Sequence, residues 1–317
     1  MFSSSILNRF VSSICGAKLT IFTLHRLEGD HGLTGFNLEL IERTIKRLKS
    51  AGVEFVYLDE VLELRKKLST SKNYVCITID DGYRDQADFL IPKLLELGAK
   101  PTLFVVTSLI DSKLLPWDAK LASGLNQLRD SYTDLSALKL EGVGIVNDNN
   151  RRSVRHALSA HAKRLSKAQR LSFISKFEQL IKQFGATEKN NGFEASDWDS
   201  LRELEKRGLR IGSHSVSHQP LSTLSEADIL SEAESSIRTL KKHLANPSDV
   251  FCYPVGLPED IQSAAKIILQ ECNYAGAVTA SPGYVGPDTD PFYLPRIGMP
   301  HSESLCVRYT SWFEKIR

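Results

Sequence analysis

Two adjacent carboxylates, Asp80 and Asp81, end the β-branched run Tyr74-Val75-Cys76-Ile77-Thr78-Ile79 and are followed by Gly82. A run that is apolar on both faces reads as an interior strand of a parallel sheet, and the carboxyl ends of such strands build active sites. The pair is therefore a candidate site. The competing reading is a plain strand-to-helix turn, with Asp81 or Asp85 capping the next helix. Far along the chain, 209–212 reads as a second strand that runs into Ser213-His214-Ser215-Val216-Ser217-His218. Histidines spaced like His214 and His218 fall on one side of a helical turn and can meet one metal ion. A carboxylate from a different strand end would complete a three-ligand site with room for water, the arrangement of a hydrolytic centre. A polar turn with two hydrogen-bonded histidines would explain that pair alone. It explains less well why the pair follows one strand while Asp-Asp-Gly follows another.

The elements that must carry these groups alternate. Leu19–Leu24 reads as a strand that releases His25 and Arg26 at its end. Residues 38–48 have apolar positions at helical spacing, closed by basic residues and Gly52. Residues 55–58 read as a short strand, 61–68 as a helix, 89–97 as an amphipathic helix ending at Gly98, and 101–106 as the next strand. Short connections in this order predict right-handed βαβ units in a parallel sheet or barrel. From about 112 to 195 the rhythm stops, and the segment reads as a helical insertion with polar loops and no clear strand. Within it, Trp117 is read first as a core residue and second as a sugar platform. The basic run Arg151, Arg152, Arg155, Lys163, Arg164, Lys167 and Arg170 reads first as a solvated helix face and second as a contact for anionic glycan or lipid headgroups. Ser196 opens a further helix with Asp199 in a capping-box-like position. A strand at 250–253 then runs into Pro254-Val255-Gly256, and 294–298 is a last extended segment before a closing helix to Arg317.

Composition narrows the class. A chain of 317 residues accommodates one (β/α) barrel with an insertion, here taken as a single domain over 1–317. Forty basic and 38 acidic residues leave a net charge of +2, so global charge offers no drive toward nucleic acid or a membrane. The five cysteines, Cys15, Cys76, Cys252, Cys272 and Cys306, are odd in number and scattered, which argues against a disulfide framework or a thiolate zinc site. No apolar run approaches the ~20 residues that span a bilayer. Ser12 and Ser13 interrupt the apolar stretch at the start, so no signal peptide is predicted. The expectation is a cytoplasmic protein; peripheral membrane association is open but not indicated, and 6–14 could form a short amphipathic helix.

Three motifs together carry a family resemblance. Thr78-Ile79-Asp80-Asp81-Gly82, then Gly212-Ser213-His214-Ser215-Val216-Ser217-His218, then Phe251-Cys252-Tyr253-Pro254-Val255-Gly256 resemble, in order and spacing, the successive motifs of NodB-type polysaccharide deacetylases, carbohydrate esterase family four. The likeness runs from about Leu19 to Ile297 and implies a distorted parallel (β/α) barrel. It also implies a metal-dependent hydrolase that removes N-acetyl groups from an N-acetylated polysaccharide, a glycoconjugate or a lipid-linked glycan. By that resemblance Asp80 is the general base, and Asp81, His214 and His218 hold a divalent metal, zinc by default. Such an ion lowers the pKa of water, polarises the amide carbonyl and lets two neighbouring carboxylates both stay ionised.

The family usually supplies its general acid from a late Leu-x-His motif, which has no clear counterpart here. In a branch similar to the poly-N-acetylglucosamine deacetylases, whose motifs are circularly permuted, the acid comes from the first strand. Phe22-Thr23-Leu24-His25-Arg26 matches that position, so His25 is the candidate acid and His301 its rival. The third motif ordinarily holds an arginine and an aromatic where this chain has Phe251 and Val255. The Val255 amide can still donate to an oxyanion, and Arg296 is the candidate to orient the base. Two alternatives accompany this reading: hydrolysis of another sugar-linked acyl group, by deformylation or O-deacetylation, and a non-catalytic carbohydrate-binding module.

Overall fold

Apolar β-branched residues between Tyr74 and Asp81 form the strand on which the sheet is laid out, in a computed structural model that describes residues 17–29, 35–68, 72–128, 132–187 and 192–311. The first half of the chain gives β1 (Leu19–Leu24), α1 (Leu38–Ser50), β2 (Glu54–Phe55), α2 (Leu58–Leu64), β3 (Tyr74–Asp81), α3 (Ile91–Glu96), β4 (Pro101–Val105) and α4 (Thr107–Ser112). Then come α5 (Trp117–Gln127), β5 (Thr133–Asp134), β6 (Ile145–Val146), α6 (Arg151–Lys163) and α7 (Lys167–Lys182). The rest supplies α8 (Trp198–Lys206), β7 (Arg210–Ser213), α9 (Glu226–His243), β8 (Val250–Cys252), α10 (Ala265–Glu271), β9 (Gly276–Val278), β10 (Ile297–Gly298) and α11 (Glu303–Thr310).

The main sheet is parallel, in the order β10-β1-β3-β4-β7-β8-β9, with β2 beside the start of β3. Residues 291–298 draw its two ends toward each other. Leu294 bridges Val278 at the end of β9, and three and four residues later Ile297 and Gly298 pair with Phe22 and Thr23 of β1. The result is a curled, distorted barrel with helices around it, as the sequence predicts. Every strand of a parallel sheet ends on the same rim, so the segments after β1, β3, β7 and β8 converge there.

Strand periodicity divides the core. Val75, Ile77 and Ile79 join Leu103, Val105 and Ile211 beneath the helices, together with Ile41, Ile45 and Leu48 of α1. Tyr74 and Cys76 turn the other way, into a second cluster with Leu19, Ile21, Phe104 and Cys252 inside the curl. Each of these fully buried aliphatic side chains contributes roughly 1.5–3 kcal/mol. The cysteines among the described residues, Cys76, Cys252, Cys272 and Cys306, are free and buried.

Several local expectations shift. Only Glu54–Phe55 is strand where 55–58 was expected, because Leu58 already starts α2, with the Glu60 carboxylate accepting from the Tyr57 amide at 2.7 Å. The helix expected over 89–97 opens earlier, as a π turn over Gln86–Leu90. Asp197 rather than Ser196 caps α8, accepting from the Ser200 amide at 2.8 Å. The 112–195 segment does contain strand, the two-residue antiparallel pair β5–β6, set among the helices α5, α6 and α7. It has a core of its own, where Leu121, Leu125, Val154, Leu158, Ile174 and Phe177 meet. The helix proposed at 6–14, Cys15 and the last residues of the closing helix lie outside the described residues. Among the described residues no helix is long and apolar enough to cross a membrane.

Candidate active site

Alternation along β3 decides which way its two carboxylates face. Asp80 shares a face with Cys76 and Thr78 and points into the curl, where it is 2% exposed. There Arg296 clamps it in two parallel bonds, Nη1 to Oδ1 and Nη2 to Oδ2, both 2.8 Å. Arg296 itself is fixed by Nε donating to the Thr279 carbonyl at 2.8 Å and Nη1 to the Thr78 hydroxyl at 3.2 Å. Burial raises the pKa of Asp80, but Arg296 and then His214 outweigh it and hold the carboxyl well below the usual range. His25, exposed at the end of β1, places Nε2 3.6 Å from Asp80 Oδ2. Gln86, fully buried in the π turn, ties these two strand ends together. Its carbonyl accepts from the Gly82 and Tyr83 amides at 2.9 Å, and its NH₂ donates to the carbonyls of Asp80 and His25.

Asp81 turns to the histidines. His214 and His218 do not sit on a helical turn as the spacing suggests; they flank a bend in which Ser215 and His218 have φ of +64° and +56°. The bend is held by hydroxyls and one carboxylate. Ser213 Oγ accepts from the Ser215 amide at 3.1 Å and Ser215 Oγ from the His218 amide at 3.0 Å. Glu232 of α9 accepts from the Val216 and Ser217 amides at 2.8 and 2.9 Å. These serines and Glu232 make a left-handed backbone affordable where helix would leave the amides without acceptors.

The two imidazoles are oriented alike. Nδ1 of His214 donates to the Cys252 carbonyl at 2.9 Å, and Nδ1 of His218 faces Asp118 Oδ1 at 3.1 Å. In the neutral form of each ring this leaves Nε2 as the acceptor, and each Nε2 lies 3.9 Å from Asp81 Oδ1. Burial pushes His214 down to about 3. Burial also opposes protonation of His218, but Asp118 and Asp81 outweigh it and raise that ring to about 9. Asp81 is raised, chiefly by burial.

The donor set fits a divalent cation. The ligand atoms of Asp81, His214 and His218 lie within 4.8 Å of one another. Donors about 2.0–2.1 Å from a tetrahedral ion stand roughly 3.4 Å apart, so the triad needs only a small closure. Metal-ligating histidines characteristically give their other nitrogen to an oxygen acceptor, and both do so here. Asp80, His214 and Cys252 form a second cluster of the same size. That one is the poorer host, because burial first, and then Asp80, keeps the Cys252 thiol protonated while both Asp80 oxygens are spent on Arg296.

Reading the sequence alone missed what the insertion does here. Trp117 is buried and donates Nε1–H to the His218 carbonyl at 2.9 Å, while its neighbour Asp118 holds the ring of the same histidine. Arg170, expected on a solvated face, is 1% exposed. It donates to the Ala162 carbonyl at 2.8 Å and to Gln219, the residue after His218. No local pattern marks these residues, since their partners lie about fifty to a hundred positions away.

A cavity of about 480 Å³ opens over the site, lined by His25, both aspartates, both histidines and Arg296, with Trp117, Asp118 and Lys163 from the insertion side. Val255 lines it too, at φ +61°, a strained setting for a β-branched residue. Asp81, Ser215, His218 and Val255 are four of the seven non-glycine residues with positive φ among those described. Backbone strain concentrates where over-determined structure serves a site. His301 does not line the cavity; it stacks on Phe36, with ring centroids 4.1 Å apart.

A family model described as polysaccharide deacetylase matches residues 67–276. The chain belongs to the polysaccharide deacetylase family. No curated protein matches it. Solved structures with a similar fold include a Streptococcus pyogenes deacetylase, PplD, in complex with acetate, at TM-score 0.60 and 16% identity, covering 93% of this chain and 98% of the other. IcaB from Ammonifex degensii aligns at 0.59 and 14%, covering 93% and 97%. The BpsB deacetylase domain from Bordetella bronchiseptica aligns at 0.50 and 14%, covering 88% and 94%. As a member of this family the chain is a deacetylase.

Proposed function

We propose that the chain removes N-acetyl groups from an N-acetylated polysaccharide or glycoconjugate by hydrolysis that depends on a divalent cation, zinc by default. The observation that carries this reading is the matched orientation of His214 and His218, each with Nδ1 on an oxygen and Nε2 toward Asp81. Asp81, His214 and His218 would hold the ion. Bound there, it would polarise the amide carbonyl and make water acidic enough for a clamped, weakly basic carboxylate to deprotonate.

The chain's own residues divide the remaining work. Asp80 accepts the proton of the attacking water, and Arg296 keeps that carboxylate ionised and aimed. The Val255 amide, which finds no protein acceptor among the described residues, donates to the oxyanion. His25, close to Asp80 and open to solvent, gives a proton to the departing amine, and acetate leaves. His25 is preferred to His301 as the acid because only His25 lines the cavity. The acetate bound to the similar streptococcal deacetylase is the acid that such a reaction releases. The test is acetate release from a panel of N-acetylated glycans, with chelator and Asp80→Asn as controls. Release that survives both controls, or no release from a metal-loaded sample on any glycan, refutes the proposal.

A further inference from the structure

The imidazole of His25 makes no hydrogen bond among the described residues; its polar neighbour is Asp80, whose Oδ2 stands 3.6 Å from Nε2. Its place over the cavity is therefore set by its backbone. On one side that backbone is β1, and the His25 carbonyl itself accepts from Gln86. On the other side is Arg26, which is 3% exposed.

A buried guanidinium is costly unless it is paired, and Arg26 is paired from two segments. Its Nε donates to Asp85 Oδ2 at 3.2 Å, and its Nη2 lies 3.2 Å from Asp85 Oδ1 and donates to the Gly192 carbonyl. Asp85 Oδ2 also accepts from the Leu27 amide at 3.2 Å, and the Arg26 carbonyl accepts from the Phe36 amide at 2.9 Å. The remaining nitrogen, Nη1, is buried without a hydrogen-bond partner. It needs none, because the guanidinium lies over two aromatic rings, 4.1 Å from the centroid of Tyr83 and 5.1 Å from that of Phe193. Those rings meet edge to face at 5.7 Å. Tyr83 and Asp85 belong to the turn after β3. Gly192 and Phe193 belong to the return of the insertion, which runs beside that turn: the Arg84 amide donates to the Glu194 carbonyl at 2.8 Å and the Ser196 amide to the Gly82 carbonyl at 3.0 Å. Well-packed apolar side chains could fill this space without burying charge. What the arginine adds is direction, since a planar fork fixed at an oxygen on two edges and against two ring faces leaves its own backbone, and the histidine before it, one setting.

We propose that Arg26 is a positioning residue for His25, and that through it the return of the insertion, at Gly192 and Phe193, sets where the general acid stands. The proposal rests on the reading of His25 as that acid. In the acid step the bond between the acyl carbon and nitrogen breaks with its electron pair left on nitrogen, and the proton of His25 Nε2 passes to that nitrogen. A misplaced ring therefore costs turnover where the leaving group is a poor one, and little where it is good.

The test compares leaving groups on the metal-loaded, full-length protein. An N-acetylated glycan departs as an amine that needs the acid, whereas para-nitrophenyl acetate departs as a phenolate that does not. Arg26→Met should lower kcat on the glycan by about 10²-fold with KM little changed, and should hydrolyse the ester within about twofold of the unaltered protein. Phe193→Leu keeps an apolar side chain and removes the ring face; it should show a smaller loss with the same selectivity, and it replaces Arg26→Met if the melting curve shows that variant unfolded. His25→Ala, which removes the acid, sets the scale of the selectivity. Equal losses on both substrates, or no loss on either, overturn the proposal, and a selective loss in His25→Ala then leaves the acid assignment standing. If His25→Ala is itself unselective, the acid assignment fails and the positioning role fails with it. NMR of histidine-labelled protein reads the placement without turnover. The His25 ring resonance, identified by its loss in His25→Ala, should be displaced in Phe193→Leu while those of His214 and His218 hold; an unmoved His25 resonance overturns the proposal.

Discussion

The rim of the parallel sheet and the helical insertion hold the same cavity by different means. On the rim, Asp80, Asp81 and His214 are set at the ends of hydrogen-bonded strands, and Arg296 enters from the segment that draws the barrel together. Their spacing is fixed by the parallel register, in which Asp80 pairs with Phe104 and Asp81 with Val105. The insertion packs around its own apolar core, joins the turn after β3 by a backbone bridge between Ala195 and Tyr83, and reaches the histidines chiefly through the side chains of Trp117, Asp118 and Arg170. In the proposed mechanism the rim supplies the groups that react, and the insertion orients one of them and walls the approach. Damage to the rim should be close to all-or-none; damage to the insertion should be graded.

The largest effect is expected at β3. Asp80→Asn should lower kcat by about 10²–10⁴-fold with metal content retained, whereas Asp81→Asn should lose the metal itself, both read by elemental analysis beside acetate release. Equal metal loss in the two variants would erase the division of labour between these neighbours.

Arg296→Ala comes next. It leaves Asp80 buried without its partner, at a cost of roughly 3–5 kcal/mol in denaturant unfolding, and it should also depress kcat. A protein that is less stable but turns over normally would confine Arg296 to a structural role. On the insertion side, Asp118→Asn should weaken metal binding by about 10–100-fold in competition with a chromophoric chelator, with folding intact. Unchanged affinity would make the insertion a wall and nothing more.

Val255→Gly should do least. The backbone donor stays, and relief of the left-handed strain, about 1–2 kcal/mol, is partly offset by the ~0.5–1 kcal/mol entropy cost of glycine. Stability should rise by no more than about 1.5 kcal/mol in thermal unfolding, and turnover should persist. Loss of turnover would mean that the valine side chain, not its amide, does the positioning.

Local pattern made much of this molecule legible. The β-branched runs, their carboxyl-terminal charges and the alternation with helices determined the parallel sheet and its rim, because strand period and apolar content act over a few residues. The same patterns placed Asp80, Asp81, His214, His218 and His25 at strand ends. The histidine bend was not legible, because its backbone is set by Ser213, Ser215 and a distant Glu232 rather than by spacing. Nor was the burial of Arg170 or the hold of Asp118 on His218, which depend on where a separately packed insertion comes to rest. By itself the sequence determined the fold class and the chemical groups on the rim. Only the tertiary structure decided which nitrogen of each histidine faces Asp81 and that Arg170 is buried against Gln219, because those choices rest on hydrogen bonds between residues far apart in the chain.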